Sequence, residues 1–379
     1  MIFYLQSSLS FLTIALASSA NGINNSNNSD GNSRSNKQYH PSAMTTMKRV
    51  DLIKQGGFAP NKNLATVDVD VPKPSDMEVL IDIKASAINP VDWKIASFGF
   101  MLPPQLPATL GCDVAGIVED GPDTMKGKRV VTYLGADKTN TKTTRGAFVD
   151  KVLADKDIVF EIPDSMSFAE AASQPVGGLA AVLLLDSLVG VKPGDWVLVW
   201  GGSSSVGFHA VQLAKARGYK VIAVTSAKHE QSMKDLGADG FADYRKGDVE
   251  AQVDEIMKGQ ATGLNGAADC IGNANGNGAA ARLVKKYGKT DASLVISTVD
   301  FGMPAPPDGV EAKMINLGAV LGDPESRKDV VAAYPSILEL KPQAIRLVKG
   351  KMSADTVAKA LQINKDGVSG EKVIIEWEK

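Results

Sequence analysis

Residues 196–218 read WVLVWGGSSSVGFHAVQLAKARG. The five apolar residues Trp196–Trp200 predict a strand buried on both faces. A turn of Gly201, Gly202, Ser203, Ser204, Ser205, Val206 and Gly207 follows. Val206, Ala210, Leu213 and Ala214 then share one helical face, and Gly218 ends the helix. A strand that runs through a small-residue turn into a helix can cradle a pyrophosphate. Glycines let the backbone come close, and the amides at the helix start point at negative charge. Gly201, Ser203, Ser204, Ser205, Val206 and Gly207 are therefore the candidate phosphate-binding residues. The expected fold class is α/β, with a doubly wound parallel sheet of Rossmann type. Ser204 stands where such turns usually carry glycine.

Outward from this turn, Tyr219–Val224 reads as the next strand. A helix carrying Met233 and Leu236 ends at Gly237. Ala267–Ile271 and Leu294–Thr298 read as later strands of the same sheet. Gly272–Gly278 (GNANGNG) reads as a flexible loop, either bordering the cofactor or forming a plain surface turn. Upstream, residues 48–160 are short extended runs such as Leu64–Val71, Glu78–Ile88 and Lys128–Tyr133. Pro72, Pro74, Pro90 and the Pro103–Pro107 cluster punctuate them, which predicts a β-rich domain. Near Ser167, Ala-rich helical stretches begin to alternate with solid apolar runs, as βαβ units do. Lys372–Trp377 (KVIIEW) reads as a closing strand.

The length of 379 residues suggests two domains and a core that needs no covalent staples. With 41 Lys+Arg against 43 Asp+Glu the formal net charge is −2, which argues against a nucleic-acid binder with a basic face. Cys112 and Cys270 are the two cysteines, so a disulfide framework and a four-cysteine zinc lobe are excluded by count. No run of about 20 apolar residues occurs, so no membrane-spanning helix is expected. Met1–Ala20 (MIFYLQSSLSFLTIALASSA) is similar to a secretory signal, although no Lys or Arg precedes Arg34. Asn21–Lys37 is Asn/Ser/Gly-rich, with Asn24 and Asn27 in glycosylation sequons. Two readings stay open here. A functional leader would send the chain to the secretory pathway or an organelle. An upstream extension, with folding from Met44 or Met47, would leave it cytoplasmic.

The end of the second strand bears on cofactor choice. An NAD-preferring site places Asp or Glu about 20 residues after the turn, against the ribose hydroxyls. Here Thr225-Ser226-Ala227-Lys228-His229 occupies that place, and no acid lies between Gly218 and His229. Ser226 can hydrogen-bond a 2′-phosphate and Lys228 can neutralise it, so NADP(H) is the expected cofactor. Lys228 also fits a solvated lysine at a helix start.

The sequence now resembles the medium-chain dehydrogenase/reductase superfamily, in its zinc-free quinone oxidoreductase and enoyl reductase branch. The resemblance runs from about Lys48 to Lys379. Ala87-Ile88-Asn89-Pro90-Val91-Asp92-Trp93-Lys94 is similar to the family's A-x-N-P-x-D-x-K segment. Leu110-Gly111-Cys112-Asp113-Val114-Ala115-Gly116 is similar to its G-x-D-x-x-G turn, and Gly146-Ala147-Phe148 to its G-A-F/Y strand entry. Lys192-Pro193-Gly194-Asp195, Leu236-Gly237-Ala238-Asp239 and Gly370-Glu371-Lys372-Val373 follow in the family's order. The resemblance implies a GroES-like catalytic domain over residues 44–170, completed by about 325–379. It implies a Rossmann NADP-binding domain over 171–324, with the active site in the cleft between them. It also suggests a monomer or homodimer.

Classical members of that superfamily use zinc, held by Cys, His or Glu ligands. Here the cysteine position falls on Asn89-Pro90, and the G-H-E position reads Gly111-Cys112-Asp113 without histidine. His40, His209 and His229 lie elsewhere in the pattern, so no metal is expected. A zinc-free site suits hydride transfer to an alkene conjugated to a carbonyl, or to a quinone. The oxygen then needs only hydrogen-bond donors, and the α-carbon takes a proton from an acid or water. Lys94 is the candidate donor, because the resemblance places this lysine near the nicotinamide. Asn89 is the candidate for positioning substrate and Asp92 for orienting the loop. The plainer alternatives are a loop charge after Trp93, a turn residue before Pro90 and a turn-capping aspartate. By resemblance Tyr244 packs on the adenosine end or touches the 2′-phosphate; plain packing remains its alternative. Phe98, Phe100, Met101 and Leu102 fit either a pocket for an apolar substrate or ordinary packing. Asp137–Arg145 is a polar loop with no assigned chemistry.

The leading expectation is a zinc-independent, NADPH-dependent oxidoreductase acting on a small-molecule substrate. A short-chain dehydrogenase would need Tyr-x-x-x-Lys, and none of the seven tyrosines is followed that way. A catalytically silent NADPH-binding sensor or structural partner is the alternative outside enzymes.

Overall fold

The computed structural model of the protein describes residues 45–379 except 100–104, 136–144, 273, 290–292, 298–304 and 324. The leader-like segment with Asn24, Asn27 and His40, the residues Phe100, Met101 and Leu102, and the polar stretch up to 144 lie outside the described residues.

The first half supplies strands β1 (Thr46–Leu52), β2 (Leu64–Asp70), β3 (Glu78–Ala87), β4 (Ala108–Thr109), β5 (Asp113–Asp120), β6 (Arg129–Tyr133), β7 (Lys151–Asp155) and β8 (Val159–Glu161). The middle supplies β9 (Trp196–Trp200), β10 (Lys220–Thr225), β11 (Gly240–Asp243), β12 (Leu264–Asp269), β13 (Ser293–Ser297) and β14 (Val310–Met314). Strands β15 (Ala344–Gly350) and β16 (Glu371–Trp377) close the chain. Four helices bear on the site: α1 (Pro90–Phe98), α2 (Phe168–Ala172), α3 (Pro175–Asp186) and α4 (Ser205–Ala216).

The middle strands form one sheet in the order β11-β10-β9-β12-β13-β14. Every neighbouring pair in it is parallel. This is the doubly wound order of dinucleotide-binding sheets, whose ligand crevice lies outside the carboxyl ends of the strands. All five residues of β9 are buried, as a central strand covered on both faces requires.

The other large sheet runs β15-β16-β3-β5-β6-β8, with β7 also on β3. It is antiparallel apart from the β15–β16 pair. Strands β15 and β16 thus return from the far end of the chain to pair with β3, with Ile374 opposite Ala87. A small sheet, β2-β1-β4, completes the β structure.

Helix α3 (PVGGLAAVLLLD) is apolar on nearly every side and buried along most of its length. Its Pro175 sits in the first turn, where a missing N–H costs nothing. Gly177 lets α3 lie against α4, since a Cβ there would stand 2.5 Å from the Ser205 Oγ. The expected flexible loop Gly272–Gly278 is corrected: a helix begins at Ala274 and runs to Tyr287. Gly276 is the reason, because a Cβ at that position would meet the Trp200 indole at 2.6 Å. The glycine therefore serves close helix packing in place of loop freedom.

Candidate functional site

The phosphate turn is built by contacts that only small residues allow. Gly201 has φ +81°, in the left-handed region. A Cβ on Gly207 would lie 2.2 Å from the Gly201 carbonyl oxygen. Ser204, the residue in place of a glycine, is the N-cap of α4: its Oγ accepts from the Gly207 N–H at 3.1 Å. Ser203 is pinned twice, by a 2.7 Å hydroxyl contact to Thr225 and by Gln343, whose Nε2 donates to the Ser203 carbonyl at 3.0 Å. The turn opens onto a cleft of about 540 Å³ at the carboxyl ends of the parallel strands. Gly201, Ser203, Ser204, Tyr244 and Ser369 are among its lining residues.

Ser205, Val206 and Gly207 form the first turn of α4 behind that lining. Ser226 is buried at the end of β10, and Lys228 is exposed just beyond it. Tyr244 is half-exposed, with the Arg245 guanidinium 5.6 Å from its ring centre. His229 hydrogen-bonds the Ser369 hydroxyl at 2.7 Å. Burial and then the nearby charges of Lys228 and Arg245 push the His229 pKa down. Lys228 and Arg245 supply positive charge next to the lining residues Thr225 and Tyr244, while His229 serves as a hydrogen-bond partner of Ser369. Arg245, His229 and Ser369 join this edge of the cleft without having been singled out from the sequence. The Asp243 side chain and its backbone are spent internally, with Oδ1 accepting from the Arg245 N–H at 2.9 Å.

The reacting end is organised around a buried polar cluster. Asn89 is the N-cap of α1, and its N–H donates to Asp92 Oδ2 at 2.7 Å. Its Nδ2 donates to Asp113 Oδ2 at 2.9 Å, and Lys372 Nζ donates to its Oδ1 at 2.6 Å. Lys372 Nζ also lies 3.6 Å from Asp113 Oδ2. Asp113 Oδ1 accepts from the Val176 N–H at 3.0 Å, in the first turn of α3. Burial raises the Asp113 pKa, and the Lys372 ammonium at 3.6 Å with the donors Asn89 and Val176 works against that rise. Burial pushes the Asp92 carboxyl up to about 7, and the Asp113 charge adds to that. Burial, then Asp92 and Asp113, hold the Cys112 thiol well above its ordinary pKa.

Asn89 and Asp92 are thus turned inward as the cap of α1, and Lys94 sits one turn along that helix. The Lys94 ammonium lies 5.7 Å from the Trp93 ring centre, and burial lowers its pKa. Phe98 shares the Lys94 side of α1, is largely exposed, and meets Trp93 edge-on at 6.2 Å.

Residues 75–164 match the alcohol dehydrogenase GroES-like domain, and residues 205–295 match the family described as zinc-binding dehydrogenase. The trans-enoyl reductase tndF of Aspergillus flavipes is 32% identical over 330 residues, covering 80% of this chain and 92% of that protein. The quinone oxidoreductase of Sus scrofa is 35% identical over 188 residues, 49% of this chain and 55% of that one. The crystal structure of Escherichia coli quinone oxidoreductase complexed with NADPH superposes with TM-score 0.67 at 23% identity, over 87% of this chain and 99% of that chain. The chain belongs to the medium-chain dehydrogenase/reductase superfamily, in its quinone oxidoreductase and enoyl reductase branch. It is an oxidoreductase.

A nicotinamide dinucleotide, the cofactor of this superfamily, fits the turn: the missing Cβ at Gly207 lets the start of α4 pack directly on the Gly201 backbone, the tight strand-to-helix turn that dinucleotide sites use. A catalytic zinc does not fit. Among the described residues no group of three His, Cys, Asp or Glu could hold a metal. Asp113 already accepts from Asn89 and Val176, burial pushes the Cys112 thiol pKa up, and the Lys372 ammonium stands beside them. His209 is committed to Ser205, with Nδ1 2.7 Å from that carbonyl. The sequence reading missed Lys372 and the pairing role of Asp113. The available signal was a charged residue opening an otherwise apolar closing strand.

Gly207→Ala should weaken NADPH binding about tenfold or more and lower Tm, because the new methyl collides with backbone. Unchanged affinity in a fluorescence titration would remove this turn from the cofactor site. Asp92 offers a pH test. Its folded pKa of about 7 lies above the ordinary 3.8, so stability is lost as pH rises between those values. The slope is at most about 1.4 kcal/mol per pH unit. His209, pushed down to about 4 by burial, acts in the opposite sense over much of that range. Asp92→Asn should therefore raise Tm relative to the parent progressively from pH 4.5 to 7.5. A constant difference across that range would contradict the buried, protonated Asp92.

Proposed function

We propose that the protein is a zinc-independent, NADPH-dependent reductase that delivers hydride to the β-carbon of an alkene conjugated to a carbonyl, or to a quinone. The observation that carries this reading is the buried Asp113–Lys372 pair. It stands beside the segment where zinc relatives hold their metal, so carbonyl activation falls to hydrogen-bond donors. Similarity to tndF, a trans-enoyl reductase, and to the quinone oxidoreductases supports the substrate class. The cations of Lys228 and Arg245, with Ser226 at the end of β10, support a 2′-phosphate and hence NADP(H).

Bound NADPH would supply the hydride. The turn from Gly201 to Gly207 would hold its pyrophosphate, Tyr244 would pack on the adenosine, and Ser226 and Lys228 would meet the 2′-phosphate. Lys94 would donate a hydrogen bond to the substrate oxygen, stabilising the enolate as charge moves onto it. Its pKa, lowered by burial, makes proton donation easier. Asn89 and Asp92 would act through the cap of α1. A proton reaches the α-carbon from an acid or water and completes reduction of the double bond.

The test is NADPH oxidation at 340 nm by the purified protein with quinones, 2-alkenals, enones and enoyl thioesters, in the presence of a chelator. Turnover that survives the chelator supports the proposal. Tight NADPH binding with no turnover on the whole panel would overturn it. Lys228→Ala should weaken NADPH binding by about 10- to 150-fold, the loss of one charged hydrogen bond, and leave NADH binding nearly unchanged. Equal losses for both cofactors would take Lys228 out of the site. Lys94→Ala should lower kcat while NADPH affinity stays intact; parent-like kcat would remove Lys94 from the chemistry.

A further inference from the structure

We infer that Lys372 is the positioning residue for α1: its ammonium fixes which way the Asn89 amide faces, and through that cap it sets the placement of Lys94. This rests on the reading that Lys94 serves the substrate oxygen.

The argument begins with the asymmetry of an amide. Asn89 offers an acceptor at Oδ1 and donors at Nδ2, and only a matched donor and acceptor hold it in one sense. Lys372 is a pure donor, 2.6 Å from Oδ1, and Asp113 is an acceptor, 2.9 Å from Nδ2. Turning the amide over would place N–H against ammonium and oxygen against carboxylate. The two partners therefore permit one orientation.

The orientation matters because Asn89 is shared. Its backbone N–H donates to Asp92 Oδ2 in the first turn of α1, while its side-chain amide is held by Lys372 of β16 and Asp113 of β5. Helix α1 has nine residues, so its cap governs its direction. At its far end Gly99 takes the left-handed conformation that stops the helix. On its flank the Trp93 Nε1 donates to Asn364 Oδ1 at 3.1 Å. Lys94, one turn from the cap, moves with it.

A purely structural account of Lys372 is the weaker one. Its side chain is 4% exposed and that of Asp113 is 0% exposed. Removing such charges from water is expensive, and an apolar pair of similar volume often stabilises a fold as well or better. A buried lysine that reaches across the sheet to an amide is better explained by the direction it imposes.

The test uses the full chain. Lys372→Met should lower kcat at least tenfold while NADPH affinity changes less than about twofold, and it should lower Tm by leaving Asp113 unpaired. Lys372→Met combined with Asp113→Asn removes both charges and should recover Tm. The Val176 N–H would hold the oxygen of an amide at position 113, which turns its Nδ2 toward Asn89 and favours the reversed Asn89 sense, so kcat should stay at least tenfold below the parent. Recovery of kcat together with Tm in the double variant would overturn the inference, as would a parent-like kcat in Lys372→Met. Where the single variant fails to fold, the double variant alone decides. A parent-like kcat in Lys94→Ala would instead defeat the underlying reading, a separately recognisable result.

Discussion

Asp113 carries a constraint on which the arrangement of the site depends. A carboxylate that no water reaches must be met by donors, and each donor arrives from a different part of the chain. Val176 comes from the start of α3, Asn89 from the loop between β3 and α1, and Lys372 from β16. Leaving such a charge unpaired would cost about 3–5 kcal/mol, a large share of a domain's net stability. The satisfied cluster thus ties the helix that underlies the nucleotide turn to the helix that carries Lys94. It does so by hydrogen bonds whose directions are set by the side chains themselves.

One short segment links the cleft lining to the buried Asn89 cluster. Ser369 meets His229, and Lys372, three residues on, meets Asn89. Gly370 between them has φ +76°, and a Cβ there would stand 2.5 Å from the His229 ring. A glycine is needed for both reasons: backbone hand and space. The segment therefore lies close against His229 before entering β16, and its approach to Lys372 is fixed by the same contact.

The parts legible in the sequence are those governed by local rules. Buried β9 follows from an unbroken apolar run, and the glycine turn from the strand and helix on either side of it. The doubly wound strand order agrees with the fold class expected on those grounds. Ser204 could be noted as a departure, but its service as N-cap only emerges once the helix start is known. The GNANGNG stretch misled because glycine marks loops and close packing alike, and the Trp200 indole that decides between them is far away in sequence. The Lys372–Asn89 contact joins residues 283 positions apart. No periodicity or spacing encodes such a pairing; it exists only because β16 returns to the edge of β3.

Under the proposed reading, the same pairing would let a chain that matches the zinc-binding dehydrogenase family orient its substrate by hydrogen bonds. A metal polarises a carbonyl as a point charge and needs ligands that are ionised or bare. Here burial drives the candidate ligands the other way, with the Cys112 thiol pushed up and the Asp92 carboxyl raised to about 7. Lys372 supplies the compensating positive charge, but it is committed to Asn89 and Asp113 inside the protein. A cation one layer beneath the site organises donors without binding substrate itself. Alcohol oxidation, which needs a strongly activated hydroxyl, suits such a site poorly. Reduction of a conjugated acceptor, where charge spreads over an enolate, asks for no more than an oriented donor.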